Sequence, residues 1–442
     1  MSRAEPATSG IETVETDVGS VFVSNYPPFS FWSADAVPAA LEALDSPADT
    51  TVPLGLYLHI PFCRKRCKFC YFKVYTDKDS GEIANYVDTV CRETELYAER
   101  RAIEDRPLRF VYFGGGTPSY ISVRHLEVLV ERLRSTLDWS EIEEFTFECE
   151  PGTLTRTKLE AIRDIGVTRL SLGVENFDDD ILRANGRAHV SREIYRVMPW
   201  IRDLGFDQLN IDLIAGMIGE TWDTWKHSVE ETLRLAPESV TIYQLELPFN
   251  TRFSANLLAG ERTFEVADWP TKRAWHDYAF ERLAEAGYRS SSAYTMVRDD
   301  TSRFVYRNSV WRGCDLLGVG VSSFSHIGGV HYQNSAGWVP YLESLNAGEL
   351  PIERAFATGP SERLTREMIL QLKLGRIEPD YFENKFGVDV RAAFADGWRR
   401  LEDDGMLRVG PETIELTRRG LLQVDRLLPT FYASDYRGGR YT

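Results

Sequence analysis

Three of the six cysteines in this 442-residue chain, Cys63, Cys67 and Cys70, lie together as C-x3-C-x2-C in the stretch LYLHIPFCRKRCKFCYFKVY, residues 56–75. They sit on a loop that leaves a short apolar strand, where each thiolate can take one iron of a [4Fe–4S] cube. Such clusters are normally held by four cysteines. With three, one iron is left to bind a substrate or cofactor, by the logic of an open coordination position at a catalytic metal. The alternatives are a zinc site or buried free thiols. Zinc wants a fourth Cys or His at regular spacing; none follows, and His59 precedes the triad on the strand.

Other candidate residues fall at the ends of predicted strands. The second ends in Gly114-Gly115-Gly116-Thr117-Pro118-Ser119, where glycine lets the backbone approach a ligand closely. That run is well sited for the carboxylate and ammonium of an amino acid. The third ends in Glu148-Cys149-Glu150-Pro151, and strand alternation puts the two glutamates on one face and Cys149 on the other. Glu175 and Arg187 follow the fourth. Asp212 lies in the apolar fifth, NIDLIAG; it needs a cation or hydroxyl as partner, and Arg187 is the candidate cation. The sixth gives Tyr243-Gln244-Leu245-Glu246, polar at alternate positions. His326 and His331, in VGVSSFSHIGGVHY, are substrate-site candidates, whereas Cys91, Cys149 and Cys314 read as free, mostly buried thiols. Arg64, Lys65, Arg66 and Lys68 make the cysteine loop basic. They compensate an anionic cluster or form a docking patch for an acidic electron donor of the flavodoxin or ferredoxin type.

The elements that position these residues alternate. Strands are predicted at 54–60, 109–114, 144–149, 168–174, 208–215 and 239–247. Helices are predicted at about 81–103, 122–136, 154–165, 190–204, 221–235 and 268–286. This rhythm indicates an α/β chain with parallel strands and outer helices. Six units make a partial barrel, with chemistry at the C-terminal ends of the strands. The expected division is a leader and packing arm (1–53, disordered to about 20), the barrel (54–290), a post-barrel segment (291–350) and a last module (351–442). Residues 350–360 read as a linker. The last module reads as helices at 361–374, 378–385 and 389–404, a hairpin around Gly410–Pro411 and a helix at 417–428. It is winged-helix-like, serving as a lid or cap.

The totals agree with that role. A formal charge of −16 and a pI near 5.1 argue against nucleic acid, whose phosphates need a basic face. Six cysteines are too few for a disulfide framework and suit a reducing compartment. No run reaches the ~18 apolar residues of a membrane span, and the first residues lack the apolar core of a signal peptide. A soluble, cytoplasmic protein with no membrane partner is expected.

HIPFCRKRCKFC, GGGTPS, RLSLGVENFDDDILRANGRAH, NIDLIAGMIGET, YQLELPFNT, GVGVSSFSHIGGVHYQN and LNAGELPIERA together resemble the oxygen-independent coproporphyrinogen III oxidase (HemN-like) family of radical S-adenosylmethionine (radical SAM) enzymes. The resemblance implies a (β/α)6 partial barrel, a [4Fe–4S] cluster on Cys63, Cys67 and Cys70, and SAM on the open iron, cleaved reductively to a 5′-deoxyadenosyl radical. It places Tyr57 near the bound SAM and Phe69 against its adenine. Gly115, Gly116 and Thr117 would hold its methionine part, with Glu148, Arg187 and Asp212 completing the contacts. Gly116 and Ile214 match positions touching a second SAM in several members.

The pattern also departs from that family. Glu175 stands where the family usually has Gln, and Cys70-Tyr71-Phe72-Lys73 replaces the oxidases' common C-G-C-N. Arg307-Asn308-Ser309-Val310-Trp311 lacks the histidine of the haem-chaperone branch. These departures lead to the expectation of the branch that uses two SAM molecules to methylate or cyclopropanate an sp2 carbon of a small natural-product intermediate, with a partner methyltransferase in some pathways. An acidic interior would suit two sulfonium cations. Oxidative decarboxylation of coproporphyrinogen III and haem carriage are the alternatives.

Overall fold

The computed structural model describes residues 15–261 and 264–440; the expected leader lies mostly outside them. Six parallel strands form the centre: β1 (Leu54–Ile60), β2 (Leu108–Gly115), β3 (Glu144–Cys149), β4 (Arg169–Glu175), β5 (Gln208–Ala215) and β6 (Ser239–Gln244). Each of the first five is followed by outer helices, such as Ser80–Ala98 after β1 and Val123–Thr136 after β2. The expected (β/α)6 partial barrel is therefore present.

Alternation along the strands separates a dry face from a wet one. Leu170, Leu172 and Val174 of β4 and Leu209, Ile211 and Leu213 of β5 are fully or almost fully buried in one large apolar core with the helices. Arg169, Ser171 and Gly173, and Asn210, Asp212 and Ile214, line the barrel interior. That interior stays polar because it encloses a cavity, not a packed core.

The sheet does not stop at six strands. β7 (Arg289–Ser290) and β8 (Thr295–Val297) continue it antiparallel beyond β6. On the other edge β1 pairs with β9 (Asp315–Val319), followed by β10 (Phe324–Ile327), β11 (Val330–Asn334) and β12 (Ile352–Ala357). The result is one twelve-stranded sheet. Residues 350–360, expected to be a linker, thus contain a strand, because β12 satisfies the open backbone edge of β11. β6 ends at Gln244, short of the expected 247.

The last module packs helices Pro360–Leu372, Pro379–Phe386 and Ala395–Asp403 around a small sheet in the order β13 (Arg376–Ile377), β15 (Ile414–Leu416), β14 (Leu407–Val409). The helix expected at 417–428 is two short ones, Arg418–Leu421 and Val424–Leu427. This module has its own apolar core, which includes Val23 and Tyr26 of the arm.

The arm runs across the mouth of the barrel. Glu246 accepts from Ser20 Oγ at 2.5 Å and from the Val21 amide at 3.2 Å. The Val23 amide donates to Asp425 at 2.9 Å, and its carbonyl accepts from Lys373 Nζ at 2.6 Å. Among the described residues no helix is long and apolar enough to cross a membrane.

Candidate active site

All thirteen residues singled out as cluster or SAM contacts border a single cavity of about 1330 Å³ that runs from the barrel interior out past the C-terminal ends of the strands. Cys63, Cys67 and Cys70 stand at one side of it. Burial pushes the Cys63 thiol up to about 11 and the Cys70 thiol up to about 12, so metal loading must release their protons. Thr117 Oγ1 donates to Cys63 Sγ at 3.3 Å, and Arg187 Nη1 to Cys67 Sγ at 3.4 Å. Both are ready partners for electron-rich sulfur. Among the described residues no group of three or more His, Cys, Asp or Glu is placed to hold a single metal ion. Three thiols around one side of a cavity, with donors already aimed at two of them, fit a multi-iron cluster in which each takes a different iron.

The loop itself is braced from several directions. The carbonyl of Lys73 accepts from His59 Nε2 at 3.2 Å, which leaves Nδ1 to accept from Tyr57 Oη at 3.3 Å. Arg64 bonds the Glu150 carboxylate at 3.0 Å and the Ala188 carbonyl at 2.9 Å. Arg66 bonds the carbonyls of Cys70 and Asn250. Two of the four cations expected to form a docking patch therefore also serve the loop's own structure; Lys65 and Lys68 are exposed.

The glycine run serves the chain itself as well as the cavity. A Cβ on Gly116 would lie 2.8 Å from the Ile60 carbonyl oxygen and 2.9 Å from the Pro61 carbonyl carbon. The Gly116 amide donates to that same Ile60 oxygen, and the Gly115 amide to Glu148 at 3.1 Å. Glu148 also accepts from Tyr112 Oη at 2.6 Å. Burial nevertheless pushes its carboxyl up to about 7.

Asp212 finds hydroxyl and amide partners, accepting from Ser171 Oγ and Asn210 Nδ2, both at 2.9 Å. Arg187, the cation expected for it, instead turns to Glu175 at 3.5 Å, Cys67 and the Gly173 carbonyl at 2.5 Å. The register shift between Gly173 and Glu175, where Glu175 takes a left-handed φ of 65°, brings that carboxylate under the guanidinium. Cys149 packs its thiol into the apolar core under the helices, on the face opposite Glu148, as alternation along β3 requires.

Sequence reasoning missed the cations. Thirteen Arg and Lys against six Asp and Glu border the cavity, on a chain whose formal charge is −16. The interior is not acidic. Arg169, which opens β4, and Arg307, on helix Val305–Trp311, are 2% and 7% exposed. Arg169 Nε and Nη1 and Arg307 Nη1 are buried without a hydrogen-bond partner. Burial, and then Arg169 beside it, pulls Arg307 down to about 10. Parity along TRLSLGV puts Arg169 on the same face as Ser171 and Gly173, and this was the available signal.

Comparisons with known proteins agree with the fold and correct the expected chemistry. The radical SAM superfamily profile matches residues 57–232, and the HemN C-terminal domain profile residues 360–422. The chain is 30% identical over 417 residues to the oxygen-independent coproporphyrinogen III oxidase of Pseudomonas aeruginosa, covering 88% of this chain and 89% of that one. It is 28% identical over 389 residues to the haem chaperone HemW of Lactococcus lactis, covering 87% and 98%. The structure of Escherichia coli coproporphyrinogen III oxidase (HemN), a radical SAM enzyme, superposes with a TM-score of 0.81 at 24% identity, covering 93% of this chain and 96% of that one. The expected methyl or cyclopropane transfer is overturned by these relatives, which are oxidases and chaperones. Departures at single motif positions, such as Tyr71-Phe72-Lys73 after Cys70, carry less weight than similarity along the whole chain. A [4Fe–4S] cluster and SAM go with this membership, and the chain belongs to the HemN-like family of radical SAM enzymes.

Proposed function

We propose that this enzyme is an oxygen-independent coproporphyrinogen III oxidase, converting propionate side chains of a porphyrinogen to vinyl groups. The observation that carries the reading is the buried Arg169–Arg307 pair, with unpartnered donors on the wall of a large, cation-rich cavity. Two buried guanidiniums near one another are costly; Glu148 and Asp212 offset part of that cost at Arg169, and a further carboxylate is the anion that their planar forks fit best. Coproporphyrinogen III carries four propionates.

The cluster and SAM, when bound, supply a 5′-deoxyadenosyl radical able to take a hydrogen atom from an unactivated C–H bond. Each conversion then removes one hydrogen atom, one CO2 and one electron from a propionate side chain, the electron leaving to an acceptor. The protein's part is placement. Arg169 and Arg307 anchor a carboxylate, while Glu148, Arg187 and Asp212 hold the polar groups of SAM. The arm and last module keep water and oxygen from the cavity. Lys65 and Lys68 present positive charge to an acidic electron donor of the flavodoxin type.

Anaerobic incubation of the reconstituted enzyme with SAM, reductant and coproporphyrinogen III should release CO2 and form 5′-deoxyadenosine and a vinyl-bearing product. Absence of CO2, together with tight binding of haem, would replace this reading with haem carriage.

A further inference from the structure

His326 on β10 pairs directly across the ladder with His331 on β11, and both border the cavity. Neither has a part in the chemistry described so far. Their hydrogen bonds fix their tautomers. The Tyr26 carbonyl can only accept, so His331 Nε2, 3.1 Å away, carries the proton. Nδ1 of that neutral ring is then an acceptor; it lies 3.4 Å from Asn25 Nδ2 and 2.9 Å from His326 Nδ1. His326 Nδ1 must therefore donate, which leaves His326 Nε2 without a proton.

Other contacts hold this arrangement. The Trp32 ring lies parallel to His331, centroids 5.2 Å apart at an angle of 3°. Burial first, then His331, Arg366, Arg363 and Lys385, push His326 well below the usual imidazole range. The pair stays neutral at physiological pH. Among the described residues the His326 ring is hydrogen-bonded through Nδ1 alone. The cavity wall thus carries a nitrogen that accepts and does not donate.

That asymmetry reads one feature of a tetrapyrrole. A porphyrinogen has four pyrrole N–H donors and no acceptor nitrogen; a free-base porphyrin has two N–H groups, and a metallated one has none. We propose that His326 Nε2 accepts a hydrogen bond from a pyrrole N–H of the bound tetrapyrrole, with His331 as the positioning residue that sets its tautomer. This inference rests on the function proposed above and adds to it recognition of the macrocycle's inner edge.

The test uses cluster-loaded enzyme and three probes: free-base coproporphyrin III; its copper(II) complex, which lacks N–H groups and takes a fifth ligand weakly; and its zinc(II) complex, which lacks N–H groups and takes a fifth ligand readily. Fluorescence and absorbance titrations should show wild type binding the free base about tenfold more tightly than the copper complex. His326→Leu should abolish that preference. His326→Gln, which restores an accepting atom, should keep most of it. The four-iron absorbance and circular dichroism confirm that the variants are folded. An unchanged preference in His326→Leu overturns the inference. So does tightest binding of the zinc complex through His326, which would make the nitrogen an axial metal ligand. If wild type neither binds coproporphyrin nor turns over coproporphyrinogen, it is the proposed function that fails. Turnover by wild type with no dependence on His326 fails the inference alone.

Discussion

Arg187 Nη1 lies 3.4 Å from Cys67 Sγ, while Nη2 of the same side chain donates to the Gly173 carbonyl at 2.5 Å. The guanidinium therefore links the cysteine loop to the end of β4. Hydrogen bonds to cluster sulfur raise reduction potential. Arg187→Met should lower the midpoint potential of the SAM-free cluster by tens of millivolts, on the order expected for one charged hydrogen bond. Iron content should change little. An EPR-monitored redox titration checks both, and an unmoved potential removes this role.

Anion anchoring predicts different behaviour at the far wall. Arg307→Met and Arg169→Met should each lower kcat/KM for coproporphyrinogen III by roughly 10- to 100-fold, mainly through KM. Thermal stability should hold or rise for Arg307→Met, which relieves a buried pair of like charges, and gain less for Arg169→Met, which also removes the cation facing Glu148 and Asp212. Steady-state kinetics beside a melting curve separate the two effects. A fall in kcat alone would argue against anchoring.

Only part of the cysteine loop's positive charge is free for a partner. Lys65→Glu with Lys68→Glu should slow cluster reduction by a flavodoxin, with the slowing strongest at low salt. Reduction by dithionite should be unaffected. Stopped-flow absorbance with each reductant tests this, and equal slowing by both would dismiss the patch.

Glu93, fully buried on helix Ser80–Ala98, ties that helix to the β9–β11 region. Its carboxylate accepts from the Gly320 amide at 2.8 Å and from Tyr341 Oη and Asn334 Nδ2 at 2.5 Å. Burial outweighs these bonds and pushes it up to about 7. Between the unfolded value near 4.5 and about 7 the native state holds a proton that the unfolded state has lost. Stability from this group therefore falls as pH rises through that window and is level above it. Relative to Glu93→Gln, wild type should lose stability from pH 5 to pH 7 and change little from pH 7.5 to 8.5. Melting curves across that range test the sign.

Local pattern and long-range pairing were not equally legible. The limits of β1, β3 and β5 follow from apolar runs bounded by Gly, Pro or polar residues, signals contained within each segment. The addition of β9 to the edge of β1 joins Leu54 to Asp315, and no periodicity encodes a pairing across such a distance. Cys63, Cys67 and Cys70 were legible because their chemistry depends on spacing alone. Arg169 and Arg307 were hidden because they come from different elements and matter only once the sheet brings them together. Asp212 lay between these cases: alternation showed that it needed a partner, but choosing Ser171 and Asn210 over Arg187 required the register of β4 against β5.

Val23, held through both its amide and its carbonyl by Asp425 and Lys373, has a consequence for biosynthesis. The wall it belongs to combines residues from near the beginning of the sequence with one more than four hundred positions later. A growing chain in which Lys373 and Asp425 have not yet been made has nothing to hold Val23 across the barrel mouth, so the cover over the cavity forms only once the last module is present.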